Sequence, residues 1–365
     1  MIVLDRESVA HLYDGETDAV SPDYGRLYGS RKRILAGLFA ALICLVLVLP
    51  FFGSVDIPFM TVLEKIFTLD MDSREGKIVW NIRMVRIIGG ILAGAGLAVC
   101  GTVMQCILRN PLASPYTLGI SSAAAYGASF AIIFVGSGSA ATSTVFVDNP
   151  YTTVLFAFIF SLVATGIVVL LTRVTRVSAE TMVLAGIAVS AVFSALLSFN
   201  QYIATDSQLG NIVSWMFGDV GKATWSWNLF ILAALAPVTL YFLYRRWDYN
   251  AIESGEDTAM SLGVNTSKER LVGLVLSSLL CSVIVSFFGI IAFIGLLGPH
   301  IARMLIGSDH RYLIPASMAV GAIVILLSDQ IGLHILSDGV IPVGIITSMI
   351  GGPMFVYLLI RRYRA

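Results

Sequence analysis

The chain has 365 residues, of which 57% are hydrophobic and only 13% charged, with a mean hydropathy of +0.86 and a formal net charge of +0. A water-soluble domain carries about 25% charged residues. Too little polar surface is present to coat a soluble globule, so the dominant solvent is lipid, and the balanced charge excludes a general electrostatic grip on nucleic acid.

Residues 1–33 are polar and of mixed charge, and the first apolar run starts only after Arg31-Lys32-Arg33. They carry no secretory-signal pattern and read as a partly disordered cytosolic tail ahead of a transmembrane domain over residues 34–365. A helix needs about 20 apolar residues to cross a hydrocarbon core roughly 30 Å thick. Such windows lie at residues 34–52, 87–108, 116–135, 153–171, 181–204, 229–244, 271–293, 313–327 and 343–360. A shorter piece, 295–306, contains Pro299 and His300 and reads as a short or broken span, interrupted at Gly298-Pro299. The windows lack period-2 alternation, so they predict helices rather than strands. The expected fold is an all-α membrane protein, a bundle of about ten transmembrane helices. With the N-terminus inside and ten alternating spans, 17 of the 23 Lys and Arg residues fall on the inner side. That bias predicts cytoplasmic N- and C-termini.

Intrinsic catalysis finds no support. The fragment Gly218-Asp219-Val220-Gly221-Lys222-Ala223 has wrongly spaced glycines for a P-loop and an alanine where Ser or Thr is required. His11, His300, His310 and His334 are scattered without acidic partners at ligand spacing, and no metal site is expected. Cys44, Cys100, Cys106 and Cys281 each sit in an apolar run and read as small buried hydrophobes. An ion-driven transporter would place carboxylates mid-span, and the windows hold almost none there. Gly90 and Gly94 make a GxxxG step suited to close helix packing.

Three local patterns stand out. The first is Gln105 followed by Arg109-Asn110-Pro111-Leu112-Ala113-Ser114-Pro115, where two prolines end the helix and force a sharp turn. The second is Phe293-Ile294-Gly295-Leu296-Leu297-Gly298-Pro299-His300-Ile301-Ala302-Arg303. The third, within an inner loop near residues 250–268, is Glu256-Asp257-Thr258-Ala259-Met260-Ser261-Leu262-Gly263. It predicts a short amphipathic helix ended by Gly263, with a Met260/Leu262 ridge in want of a partner.

These patterns, in this order and spacing, resemble the FecCD-type permeases, which import iron-siderophores, haem and vitamin B12. The family's Arg-x-x-Arg pair matches Arg83 and Arg86, and its Asn-Pro-Leu-Ala-x-Pro-x-x-Leu-Gly stretch matches Asn110 to Gly119. Leu184-Ala185-Gly186, Trp215-Met216-Phe217-Gly218, Pro342-Val343-Gly344 and Gly351-Gly352-Pro353-Met354-Phe355 match as well. Departures are Met84-Val85 in place of Leu-Pro, Leu333 in place of an arginine after Asp329, and apolar Val340-Ile341 ahead of the Pro-Val-Gly motif.

The resemblance implies a type II ABC importer permease in the cell membrane, working as a homodimer with two ATPase subunits and an extracytoplasmic substrate-binding protein. ATP and Mg would be bound by the ATPase partner, leaving no cofactor to this chain. Iron-siderophore is the expected cargo, with cobalamin or haem as alternatives. Ala259, Met260, Ser261, Leu262 and Gly263 would contact the ATPase. Arg83 and Arg86 would meet acidic side chains of the binding protein, or serve as interfacial anchors. Gln105, Asn110, Pro111, Pro115, Gly298, Pro299, His300 and Arg303 carry the family motifs along the pathway. Ala179 and Glu180 are gate candidates, although Glu180 also suits a helix first turn after Ser178. Asp329 would cap, pair or line the path, and Asn200 and Gln201 would touch substrate or cap packing.

Overall fold

The structure, a computed structural model, describes residues 22–53, 55–136, 150–175, 178–336 and 339–364. Most of the 1–33 tail lies outside those residues. Its last part does not: α1 (Pro22–Val48) is already helical through Arg31-Lys32-Arg33, ahead of the apolar window. A short helix α2 (Phe59–Thr68) follows. Next comes α3 (Arg74–Ile78), which runs through a π-helical segment, Val79–Met84, into α4 (Val85–Ile107). The remaining helices are α5 (Ile120–Phe134), α6 (Pro150–Thr175), α7 (Ala179–Ile203), α8 (Asp206–Met216), α9 (Trp225–Tyr244), α10 (Arg246–Ser254), α11 (Glu256–Ser261), α12 (Thr266–Phe288), α13 (Ile294–Ile306), α14 (His310–His334) and α15 (Val343–Arg364).

Among the described residues, seven helices are long and apolar enough to cross a membrane, and α5, α13 and the apolar part of α15 are shorter apolar helices. Together these give the ten segments expected. Among the described residues all regular elements are helical, apart from an isolated parallel bridge between Phe217 and Ile290.

Helix α4 forms the axis of the bundle. It packs against α14, α12, α13 and α9, and nearly every residue from Gly89 to Ile107 is buried. Close approach explains its small residues. A Cβ on Gly94 would lie 2.6 Å from the Gly321 carbonyl carbon of α14, and one on Gly101 would lie 2.6 Å from the Gly295 carbonyl carbon of α13. Backbone therefore meets backbone at both crossings, where no larger residue fits.

The short span is not interrupted where the sequence suggested. Pro299 sits inside α13, which continues unbroken to Ile306. The irregular segment is instead 289–293, set by Gly289 (φ 79°) and Phe293 (φ 67°). A proline removes the N–H that would serve the carbonyl four residues earlier, here that of Gly295. That carbonyl faces the Gln105 side-chain Nε2 at 3.5 Å, and Gly101 leaves room for the approach. At 13 residues α13 is about 20 Å long, short of a full crossing, and residues 289–293 supply the rest of the path. Phe293, in the left-handed conformation, packs on Gly351 of α15, where an added Cβ would lie 2.5 Å from the Phe293 Cβ.

Gly218 and Gly344, from two separate motifs, converge with Ile290 of the irregular 289–293 segment at one end of the bundle. Gly218 N donates to Ile290 O at 3.2 Å, and Gly344 N donates to Gly218 O at 2.8 Å. The Gly218–Ala223 fragment thus serves as a backbone junction between α8, α12 and α15.

Candidate functional site

The first two motifs meet at the opposite end of α4. After Ile107 the chain turns through Arg109 (φ 45°), and Asn110 N closes back on Gln105 O at 3.1 Å. The Asn110 Oδ1 accepts from Leu112 N at 3.0 Å, a side-chain turn that needs no helix ahead of Pro111. Ser114 then caps a 3₁₀ turn over Pro115–Leu118, against which Gly186 of α7 packs. Gln105, Arg109, Asn110, Pro111, Glu253 and Arg303 line a cavity of about 330 Å³. Four of the motif residues, Gln105, Asn110, Pro111 and Arg303, are therefore brought together. Pro115 is buried in the adjoining turn, Gly298 packs on Ala98 of α4, Pro299 serves the α13 contact just described, and half-buried His300 is not among the lining residues.

The expected loop helix is α11, flanked by Gly255 (φ 133°) and Gly263 (φ 82°). Val264 N donates to Ala259 O at 2.9 Å and Gly263 N to Met260 O at 3.0 Å, the two bonds of a Schellman C-cap. Met260 is 53% and Leu262 68% exposed, and Ser261 and Gly263 are open as well. Ala259 differs: it is fully buried and holds α11 to the body, so it is an anchor rather than a contact residue. A second anchor was invisible from sequence. Arg270 of α12, itself buried, donates to both Glu256 carboxylate oxygens (2.8 and 2.9 Å) and to Ile107 O (3.0 Å). The start of α11 is thereby tied to the last turn of α4. Hydrogen bonds from Arg270 hold the Glu256 carboxyl below its ordinary range. Between α9 and α10, Arg245 pairs with the buried Glu269 and with Asp248, fixing the other side of the same loop.

At the far end of α4 the two arginines turn inward. Arg83 is 7% exposed and donates to the Pro50 and Val55 carbonyls. Arg86 makes a bidentate pair with Asp329 of α14, both bonds 2.7 Å, and Asp219 stands 3.9 Å away. Both arginines line a small cavity of about 180 Å³ that Leu333 also borders. As placed, they satisfy this chain's own carbonyls and carboxylate rather than presenting an exposed basic pair. Of the three roles open to Asp329, pairing is the one seen.

The FecCD transport family model matches residues 38–361. The chain belongs to that family. A Methanocaldococcus jannaschii protein described as an ABC transporter permease is 50% identical over 288 residues, covering 79% of this chain and 82% of its own. The hemin transport system permease protein of Yersinia pestis is 36% identical, covering 78% and 84% respectively. Among solved structures, a metal-chelate type ABC transporter in an inward-facing conformation superposes with a TM-score of 0.76 at 30% identity, covering 90% of this chain and 99% of that one.

In this FecCD permease the gate candidates Ala179 and Glu180 open α7 behind the Ser178 N-cap, whose side chain accepts from Thr181 N at 3.2 Å. Glu180 is exposed in the first turn of α7. Asn200 is buried and donates to Ser129 Oγ at 2.8 Å, so it fastens α7 to α5. Gln201 reaches Met216 Sδ at 3.6 Å. Along the exposed face of α7 run Ala191, Ser194, Ala195 and Ser198, a small-residue stripe at helical spacing in which Ser198 Oγ donates to Ser194 O and Ser194 Oγ donates across to Ser122 Oγ of α5. Its signal lay in the sequence, as small residues recurring every three or four positions.

Proposed function

We propose that this chain is the permease subunit of an ABC importer for a metal chelate, acting as a homodimer energised by two separate ATPase subunits. The observation that carries the proposal is α11: a short helix with Met260 and Leu262 exposed, yet fastened to the bundle through Arg270, Glu256 and Ile107. An exposed apolar ridge on a rigidly mounted helix suits a partner that pushes on it. Force arriving at α11 passes along Arg270 to the last turn of α4 and to the adjoining turn at Asn110–Pro115. The excess of Lys and Arg in one set of loops supports placing this end, and both termini, in the cytoplasm.

Iron-siderophore is the cargo proposed first, with haem and cobalamin next, since matched relatives are named for hemin and vitamin B12 transport. A binding protein would deliver the chelate at the far end, where Arg74 and Lys77 are exposed. Docking through Arg83 and Arg86 themselves requires the Arg86–Asp329 pair to open.

The test is a Met260→Ser/Leu262→Ser variant purified with its ATPase. Both side chains are exposed, so the chain is expected to fold and melt as wild type while ATPase co-purification and chelate-stimulated hydrolysis fall at least about tenfold, the loss of roughly 1.4 kcal/mol or more of contact energy. Unchanged association and stimulation would refute the coupling role of α11.

A further inference from the structure

We propose that Cys106, Glu253 and His310 form a binding site for one divalent transition-metal ion of the zinc class. Their donor atoms lie within 4.8 Å of one another, although they come from the last turn of α4, from α10 and from the first turn of α14. Zinc bond lengths of about 2.0–2.3 Å put tetrahedral donors roughly 3.3–3.8 Å apart. The exposed Glu253 side chain is the one free to close that gap.

The histidine is already set for ligation. Asn250 Nδ2 donates to Asp309 Oδ1 at 3.0 Å, which fixes the amide so that its Oδ1 faces His310. That oxygen accepts from His310 N at 2.8 Å and stands 3.0 Å from Nδ1. The ring proton therefore sits on Nδ1, and Nε2 keeps a bare lone pair. His310 is fully buried, and Nε2 has no hydrogen-bond partner. Buried polar atoms are rarely left so, whereas an imidazole whose other nitrogen donates to a fixed oxygen is the usual arrangement of a metal ligand.

Sulfur, imidazole and carboxylate together suit zinc and its neighbours, not magnesium or calcium, which take oxygen ligands. Cys106 Sγ lies 3.4 Å from Tyr249 O, the acceptor for its thiol proton. Metal entry releases that proton to solvent, so affinity rises with pH. Arg303 and Arg270 act electrostatically on Cys106, and Arg303 and Asp309 on His310. Thiolate and the Glu253 carboxylate together balance the dication, so the loaded site is neutral and presents no net positive charge to the two arginines. Glu253 also borders the 330 Å³ cavity, which gives the ion its route in and leaves a fourth position for water. Bound metal would staple α10 to α4 and α14. This site concerns ion uptake by the chain itself and stands whether or not the import reading holds.

The experiment uses the full chain in detergent, with its affinity tag removed and Cys44→Ser as background. Zn²⁺ uptake is measured by equilibrium dialysis and Co²⁺ by its thiolate charge-transfer absorption. One ion per chain is expected, with the absorption band lost in Cys106→Ser. Affinity should fall about tenfold or more in Glu253→Gln, as loss of even an outer-sphere partner does. If Cys106→Ser does not fold, Glu253→Gln decides alone, since that side chain is exposed. Absence of stoichiometric Zn²⁺ uptake by the parent, or uptake unchanged in the variants, overturns the site.

Discussion

Replacing Gly101 by alanine inserts one methyl group between two backbones. The new Cβ would lie 2.6 Å from Gly295 C and 2.7 Å from its Cα. Ordinary carbon contacts sit at about 3.5–4.0 Å, and the Gly295 carbonyl oxygen lies closer to the new Cβ than either carbon, so α4 and α13 would have to part by more than about 1 Å. Overpacking costs about 1–3 kcal/mol, and the upper end applies because the obstacle is main chain with no rotamer to change. Parting the helices also breaks the approach of Gln105 to the carbonyl left unserved by Pro299, a loss of about 1 kcal/mol. Alanine's better helix propensity returns about 1 kcal/mol. The net expectation is a loss of roughly 2–3 kcal/mol, read as a drop of several degrees in the thermal unfolding of the purified chain, followed by its size-exclusion peak. Gly166→Ala in α6 is the control, since no atom lies within 4 Å of the added Cβ. It should be neutral or stabilising by up to about 1 kcal/mol. A Gly101→Ala protein that melts with the wild type would refute the close-approach account of α4.

Two further outcomes follow from the ion pairs. Arg86→Met leaves the Asp329 carboxylate, 5% exposed, without its partner and should cost about 3–5 kcal/mol. Adding Asp329→Leu should recover most of that loss, and a double variant no more stable than the single would show that the pair is not what holds α4 to α14. For Glu256, whose folded pKa is lowered from 4.5 chiefly by Arg270, the stabilisation is fully present above 4.5 and is lost as pH falls through the lower, folded value. Amide protection factors in α11, taken against the intrinsic exchange rate at each pH, should therefore be constant near neutrality and fall on acidification below pH 4.5, and Glu256→Gln should remove that dependence. A fall of equal size in the variant would assign it to another group.

The spans were legible because a lipid-facing helix must be apolar over a fixed length, a constraint local to each window. The Schellman end of α11 was equally local, since Gly263 is needed wherever φ is +82°. Placement of the irregular backbone was not. Gly298-Pro299 looks like a breaker in isolation, and only the distant Gln105 and Gly101 show how α13 tolerates the proline. The pairings Arg270 with Glu256 and Ile107, and Arg86 with Asp329, join residues from different helices, which no periodicity reports. The same holds for Cys106, Glu253 and His310. They come from three different helices, and the bundle's topology alone brings them within reach. Ala259 shows the converse error: a residue inside an exposed loop motif was assigned to the surface, while its helix turns it into the core.

The backbone contacts of Gly94 with Gly321 and of Gly101 with Gly295 have a mechanical consequence. Where no side chains intervene, there is no soft layer to compress or shear, and α4, α13 and α14 must travel as one slab. Any passage that opens and shuts has to form along helices mounted at the rim, such as α6, α7 and α9, whose faces are largely uncovered in the single chain. Stiffness at the axis thus decides where the molecule can yield.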